Sequence, residues 1–385
     1  MKRVGVIGIG HSRFGKRPEV SLREIVHEAT RGSFLDASLE PKDIEASIFS
    51  LAGDMFNGQG APGALISDYV GLSPKPVIRV ESACASGSAG IKTAVGLING
   101  GFHDLVMVIG AEKMCDLSTP LVTELMSRAG DLAWEYPFGV SFPGFYALFA
   151  SRHMAEFGTT RDQLSMVGVK NHKYGYLNPL AHLRKQVTLE EAKKSIHIVY
   201  PLNLYDCSLI SDGAAAMILA SEEKAKQLTD DPIWITAIGS GGDHNMVADR
   251  EVLTGLIGAQ MASRTAYEMA GIKPQDIDVA CVHDCFTIAE IMAYEDCGFC
   301  DKGEGGKFIE EGRSELDGDV AVNVDGGLKS KGHPVGATGV AMGVELTKQL
   351  RGKADTGRQR ADAEIAMSHN VGQSGQFVHC IVYQR

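Results

Sequence analysis

Cys84 sits in the run Ser82-Ala83-Cys84-Ala85-Ser86-Gly87-Ser88-Ala89-Gly90, among residues too small to shield it. Apolar residues at three- and four-residue spacing follow, through Ile91, Ala94, Val95, Leu97 and Ile98, and predict a helix starting just behind the sulfur. Unpaired backbone N–H groups and the positive end of the helix dipole would then face the thiol and favour thiolate, the nucleophilic form. Small neighbours let a long substrate reach the sulfur and let backbone donors approach a reacting carbonyl. The competing reading is a buried structural cysteine at a tight strand-to-helix turn. Far along the chain, Asn323-Val324-Asp325-Gly326-Gly327 leads to Gly332-His333-Pro334-Val335-Gly336-Ala337-Thr338-Gly339. A histidine heading a glycine-rich turn into a helix has its ring held at an edge, usable as donor or base.

For Cys84 and His333 to share a site, the fold must bring distant segments together, and an internal duplication offers a way. Ala37-Ser38-Leu39-Glu40-Pro41-Lys42-Asp43-Ile44 is echoed by Ala270-Gly271-Ile272-Lys273-Pro274-Gln275-Asp276-Ile277. Each copy follows a helical pattern and precedes an apolar strand, Ala46–Phe49 in one and Val279–Val282 in the other. Gly90-Ile91 behind Cys84 parallels Gly339-Val340 behind His333, and the strand Leu105–Gly110 parallels Ile365–His369. Helices alternating with fully apolar strands in both halves predict an α/β fold with helices on both faces of mostly parallel sheets. Cys84 and His333 then occupy equivalent strand-to-helix turns near a pseudo-twofold axis. Residues from about 115 to 235 belong to neither half and read as a largely helical excursion over a pocket. Lys170-Asn171-His172-Lys173-Tyr174 and Arg184-Lys185 in it either meet phosphates or form a solvated helix face.

Composition bounds the function. A chain of 385 residues with 44% apolar and 22% charged residues is that of an ordinary globular protein. A net charge of −11 argues against general nucleic-acid binding. No apolar run reaches membrane-spanning length, and Met1–Ile7 reads as a strand and not a signal sequence, so a cytoplasmic location is the default expectation. Eight cysteines in this length do not make a disulfide framework. Cys297-Gly298-Phe299-Cys300 lacks the second ligand pair of a structural zinc site. Gly8-Ile9-Gly10 meets Arg13 where a dinucleotide fingerprint needs a third glycine.

The Gly-His-Pro string, Cys84 in its small-residue turn, the duplicated halves and the insertion together resemble the thiolase family over essentially the whole chain. That resemblance implies a duplicated five-layer αβαβα core with an inserted, mainly helical loop domain: residues 1–115, 116–235 and 236–385. Two strings depart from the best-known thiolases. His283-Asp284-Cys285-Phe286 stands where those carry Asn-Glu-Ala-Phe, and Asn370-Val371-Gly372 where they carry Cys-x-Gly. The paired change resembles the sterol-carrier-protein type and its archaeal relatives. By that resemblance Cys84 is the acylated nucleophile, Cys285 the acid/base, and His333 the activator of Cys84. His283 replaces the asparagine of one oxyanion hole, and the N–H of Gly372 with that of Cys84 forms the other. The implied reaction is reversible Claisen condensation of two acetyl-CoA to acetoacetyl-CoA, feeding HMG-CoA and mevalonate synthesis, with coenzyme A thioesters as substrate and product and no metal or cofactor. Implied partners are a second copy of the chain, as homodimer or homotetramer, and a complex with HMG-CoA synthase and an OB-fold CoA-binding protein.

Two rival functions stay open on sequence. Cys84, His283 and His333 also match the Cys-His-His set of decarboxylating ketoacyl synthases on the same fold, for which Cys285 would be superfluous. A non-catalytic acyl-CoA-binding scaffold would explain Asn370 in place of the usual second cysteine.

Overall fold

The computed structural model describes residues 1–385. The first half runs β1 (Val4–His11), α1 (Leu22–Ala37), β2 (Ala46–Ser50), α2 (Pro62–Tyr69), β3 (Val77–Val80), α3 (Ser86–Asn99) and β4 (Leu105–Glu112). An excursion of α4 (Thr119–Ser127), α5 (Phe142–Phe157), α6 (Arg161–Leu177), α7 (Leu189–Lys193) and the hairpin β5 (His197–Val199) and β6 (Leu202–Asn203) follows. Next come β7 (Gly213–Ser221), α8 (Glu222–Leu228), β8 (Ile233–Gly241), α9 (Ile257–Ala270), β9 (Val279–Val282), α10 (Thr287–Asp296) and α11 (Gly305–Glu310). The chain closes with β10 (Ala321–Val322), α12 (Thr338–Leu350), β11 (Ile365–Gly372) and β12 (Phe377–Gln384).

Ten strands form one sheet in the order β10-β9-β11-β12-β8-β1-β7-β4-β2-β3. Outward from the middle, each half has the same plan: β1, β7, β4, β2, β3 on one side and β8, β12, β11, β9, β10 on the other. The three outer strands of each half are parallel, while β7 and β12 run antiparallel to both neighbours. The expectation of mostly parallel sheets is therefore corrected to an equal mixture within each half. Strand β12 returns from β11 through a short hairpin, a connection that only antiparallel strands allow. The halves join where Val4, Gly5 and Val6 pair antiparallel with Ile235, Trp234 and Ile233. The excursion drawn from 116 to 235 is corrected too. Its nine-residue strand β7 lies inside the sheet between β1 and β4, and its apolar side chains belong to the first half.

Helix α1 packs on β1 and β7, α9 packs on β8 and β12, and α3 and α12 pack on each other and on the opposite sheet faces. This is the five-layer αβαβα stack. The echoed octapeptides become matching 3-10 turns, Pro41–Asp43 and Pro274–Asp276. In each, an aspartate accepts from the backbone N–H just ahead of the turn, at 2.8 Å in one and 2.7 Å in the other. Side chains of α5 and α6, among them Phe145, Phe149 and Leu164, enter the same apolar core as the two halves, so the excursion is packed down and not appended.

The α3–α12 seam carries the pseudo-twofold relation. A Cβ on Gly87 would stand 2.8 Å from the Gly339 nitrogen, and one on Gly339 would stand 2.3 Å from the Ser88 nitrogen. The reciprocal contact falls one turn ahead of the Gly90 register suggested by the sequence echo; Gly90 instead lies against Ser50 and β2. Both obstructing groups are backbone and cannot turn aside. Gly87→Ala is expected to destabilise by about 1–3 kcal/mol, the usual range for overpacking, and to appear as a lower urea midpoint at unchanged slope.

Candidate active site

Cys84 lies in a 3-10 turn, Ala83–Ala85, between β3 and α3. Ala83 has φ of +48°, and Ser86 Oγ ties the turn by accepting from Ser82 N at 2.9 Å and donating to Ala83 O at 2.6 Å. The sulfur is buried, and burial, reinforced by the neighbouring Cys285, pushes the Cys84 thiol up to about 12. This corrects the expectation of a resting thiolate. Loss of hydration outweighs the helix dipole, and the N–H groups of Gln373 and of Cys84 itself, which contact the sulfur, recover only part of it.

His333 is fixed by its backbone N–H, which donates to Leu209 O at 3.1 Å and to Ser211 Oγ at 3.2 Å. Its Nδ1 lies 2.7 Å from Thr338 Oγ1, and that hydroxyl donates to Pro334 O at 3.1 Å. Thr338 therefore accepts from Nδ1–H, and Nε2 is left with its lone pair. Burial first, then Lys329 and Lys331, hold the imidazole down to about 3, so it is neutral at rest. Glu112, at the end of β4, accepts from Gly336 N at 3.0 Å and Ala52 N at 2.9 Å, tying the histidine turn to the first half. Burial pushes that carboxyl up to about 8. Its signal in the sequence was an acidic residue ending a strand otherwise apolar throughout.

His283 and Cys285 leave the end of β9 in one short loop. Asp284 anchors it by accepting from Leu328 N at 2.7 Å and Asn171 Nδ2 at 2.8 Å, and the Cys285 carbonyl accepts from Ser208 N at 2.9 Å. Donor atoms of Cys84, His283 and His333 all lie within 4.8 Å of one another, and the two imidazoles meet edge to face with centroids 5.1 Å apart. Burial, then His333 and His369, hold His283 well below the usual imidazole range. Burial also raises the Cys285 thiol to about 12, and the nearby Tyr146 hydroxyl, which donates to Gln373 O at 3.4 Å, opposes the rise. Tyr146 comes from α5, its ring stacked on Phe286 at 4.7 Å. The sequence reading missed it, because an aromatic-rich stretch does not say which ring reaches a cysteine in another half.

Cys84, His283, Cys285 and His333 line one cavity of about 230 Å³, walled by apolar side chains such as Met126 and Phe142 and reaching the exposed Ile198 and Leu204. The front-half sulfur and the rear-half imidazoles and sulfur thus come together. Gly372 sits at the close approach of β11 to Ser82, where a Cβ would meet that carbonyl oxygen at 2.3 Å, but the N–H facing the Cys84 sulfur is that of Gln373, one residue on. A sulfur and two imidazoles at this separation could also hold a zinc-type ion. The C-x-x-C is split: the Cys297 thiol meets that of Cys380, while Cys300 is half-buried elsewhere. Lys170 is neither a phosphate ligand nor solvated, since it is buried against Glu290 of α10 at 2.5 Å and Val322 O at 2.8 Å. Lys185, Lys193 and Lys194 pair with Glu191, Asp162 and Glu190.

The family model described as "Thiolase, N-terminal domain" matches residues 4–223, and "Thiolase C-terminal domain-like" matches residues 239–385. The acetyl-CoA acetyltransferase of Methanothermobacter thermautotrophicus is 42% identical over 386 aligned residues, with 100% of both chains covered. Sterol carrier protein 2 of Bos taurus is 35% identical over 98% of this chain and 71% of its own length. Among solved structures, the Ltp2-ChsH2(DUF35) aldolase superposes with a TM-score of 0.85 at 26% identity, covering 99% of this chain and 97% of that one.

Proposed function

The chain belongs to the thiolase family, and from that premise we propose that it is an acetyl-CoA C-acetyltransferase, condensing two acetyl-CoA reversibly to acetoacetyl-CoA and CoA. The observation that carries this reading is the meeting of Cys84, His283, Cys285 and His333 in one apolar cavity. His333 Nε2 takes the Cys84 proton as the sulfur attacks the first thioester, so no resting thiolate is needed. The tetrahedral oxyanion is met by the N–H groups at the sulfur, those of Cys84 and Gln373. Collapse expels CoA thiolate, which takes the Cys285 proton and leaves as CoA. Cys285, now a thiolate beside the Tyr146 hydroxyl, removes an α-proton from the second acetyl-CoA. The enolate carbon attacks the acetyl-Cys84 carbonyl, and the second collapse releases acetoacetyl-CoA and a Cys84 thiolate that recovers its proton from His333. No step of this cycle calls for a metal or a further cofactor.

The condensation is uphill, so it requires a reaction that consumes acetoacetyl-CoA; we place that in HMG-CoA and mevalonate synthesis, in the cytoplasm. No helix is long and apolar enough to cross a membrane. The exposed edge strand β3, with Ile78 42% accessible, supports pairing with a second copy into a homodimer or tetramer. Lysines beyond the cavity mouth already paired with acids support CoA-phosphate contacts supplied from outside this chain. An OB-fold CoA-binding protein, in complex with HMG-CoA synthase, would supply them.

The test is incubation with acetoacetyl-CoA and CoA, and separately with labelled acetyl-CoA. Acetyl-CoA should form in the first, and label should reside on Cys84 in the second. Turnover of malonyl but not acetyl thioesters would make the protein a decarboxylating synthase; well-folded protein without label on Cys84 would make it a scaffold.

A further inference from the structure

Asn370, where the best-known thiolases carry a cysteine, is fully buried in β11. Its side-chain nitrogen lies 3.1 Å from the Cys84 carbonyl oxygen and 3.2 Å from His283 Nδ1. A carbonyl oxygen only accepts, so it fixes which end of the amide is the nitrogen. The second amide hydrogen then points at His283 Nδ1, which accepts it, and the ring's own hydrogen is left on Nε2. Asn370 Oδ1 lies against Gly339, where a Cβ would come within 2.4 Å, so a side chain there would dislodge the amide. His283 Nε2 has no protein partner, although its ring is buried in the cavity wall beside Cys84. A buried donor left unmade costs stability, and an oxygen arriving with the substrate would complete it.

We infer that Asn370 is a positioning residue that clamps His283 in its Nε2–H form, making that ring a standing hydrogen-bond donor to the enolate oxygen of the second thioester. The identity of that oxygen rests on the proposed condensation; the clamp does not. The two imidazoles thereby differ in kind. His333 presents a lone pair and moves a proton, whereas His283 presents a hydrogen and keeps it. No ordered water is needed to reach the enolate.

The test begins with the protein at rest. Nitrogen-15 NMR of histidine-labelled protein, with the ring assigned by its loss in His283→Gln, should report His283 as Nε2–H. Asn370→Asp keeps the shape but accepts where the amide donates. It should turn the ring over to Nδ1–H and slow exchange of acetyl-CoA methyl protons with D2O by about 100-fold, the cost of one oxyanion donor. Acylation of Cys84, which uses the other hole, should change far less. His283 found as Nδ1–H in the unaltered protein overturns the inference, as does an Asn370→Asp protein whose two half-reactions fall together. The tautomer is read without turnover. Protein that shows Nε2–H but ignores acetyl-CoA would therefore sink the condensation and leave the clamp standing.

Discussion

Cys285→Ala protein should still become acetylated on Cys84 by acetyl-CoA, yet make acetoacetyl-CoA about 10³-fold more slowly, within the range for losing a positioned base. The division follows from where the groups stand. Cys84 has His333 within 4.8 Å to take its proton and backbone N–H groups at its sulfur; Cys285 serves this step only by protonating the departing CoA, a thiolate stable enough to leave without it. The α-carbon of a second thioester has only Cys285, with the Tyr146 hydroxyl near it, in the role of base. Alanine leaves the loop's anchors at Asp284 untouched, because they run through Leu328 and Asn171. Intact mass after acetyl-CoA treatment reads the first step and acetoacetyl-CoA formation the second. Undiminished condensation would move the base to another group.

His333→Asn has the larger effect on the first half-reaction. With the Cys84 thiol raised to about 12 by burial, only a minute fraction is thiolate at pH 7. Without a base to take the proton in flight, acylation is expected to fall by about 10⁴-fold, the upper end for general-base catalysis. The sign of the pH response follows from the raised thiol. Below its pKa the sulfur is protonated, so the residual rate of the variant should climb about tenfold per pH unit from 7 toward 10 as thiolate accumulates. The unaltered enzyme should be nearly flat over that window, because its imidazole, held down to about 3, is already neutral. A variant rate independent of pH would mean that another group deprotonates Cys84.

Much of the frame was legible beforehand because duplication leaves paired traces. Pro41 and Pro274 open matching turns, and the apolar strands after them fall at matching sheet positions. Strand direction was not legible: Gly213–Ser221 and Phe377–Gln384 are apolar enough to suit a parallel or an antiparallel place equally. The site was legible where one short string carries both the group and its turn, as at Cys84, His333 and His283-Asp284-Cys285. It was not legible where contact depends on folding distant segments together. Tyr146 comes beside Cys285 from α5, Gln373 and not Gly372 turns its N–H to the sulfur, and Lys170 is buried against a helix more than a hundred residues later. Protonation was the least legible of all, because burial, which reverses the expected state of Cys84, is a property of the whole stack.

The Gly87–Gly339 contact bears on how such chains can recombine. A crossover between two relatives in the connection from 229 to 232 leaves each repeat whole, yet it mates two helix surfaces that have never shared a molecule. Since main chain touches main chain there, even a slight mismatch would tilt the nucleophile's helix against the histidine's. Viable chimeras should therefore come from parents alike along this seam, however far they have diverged elsewhere.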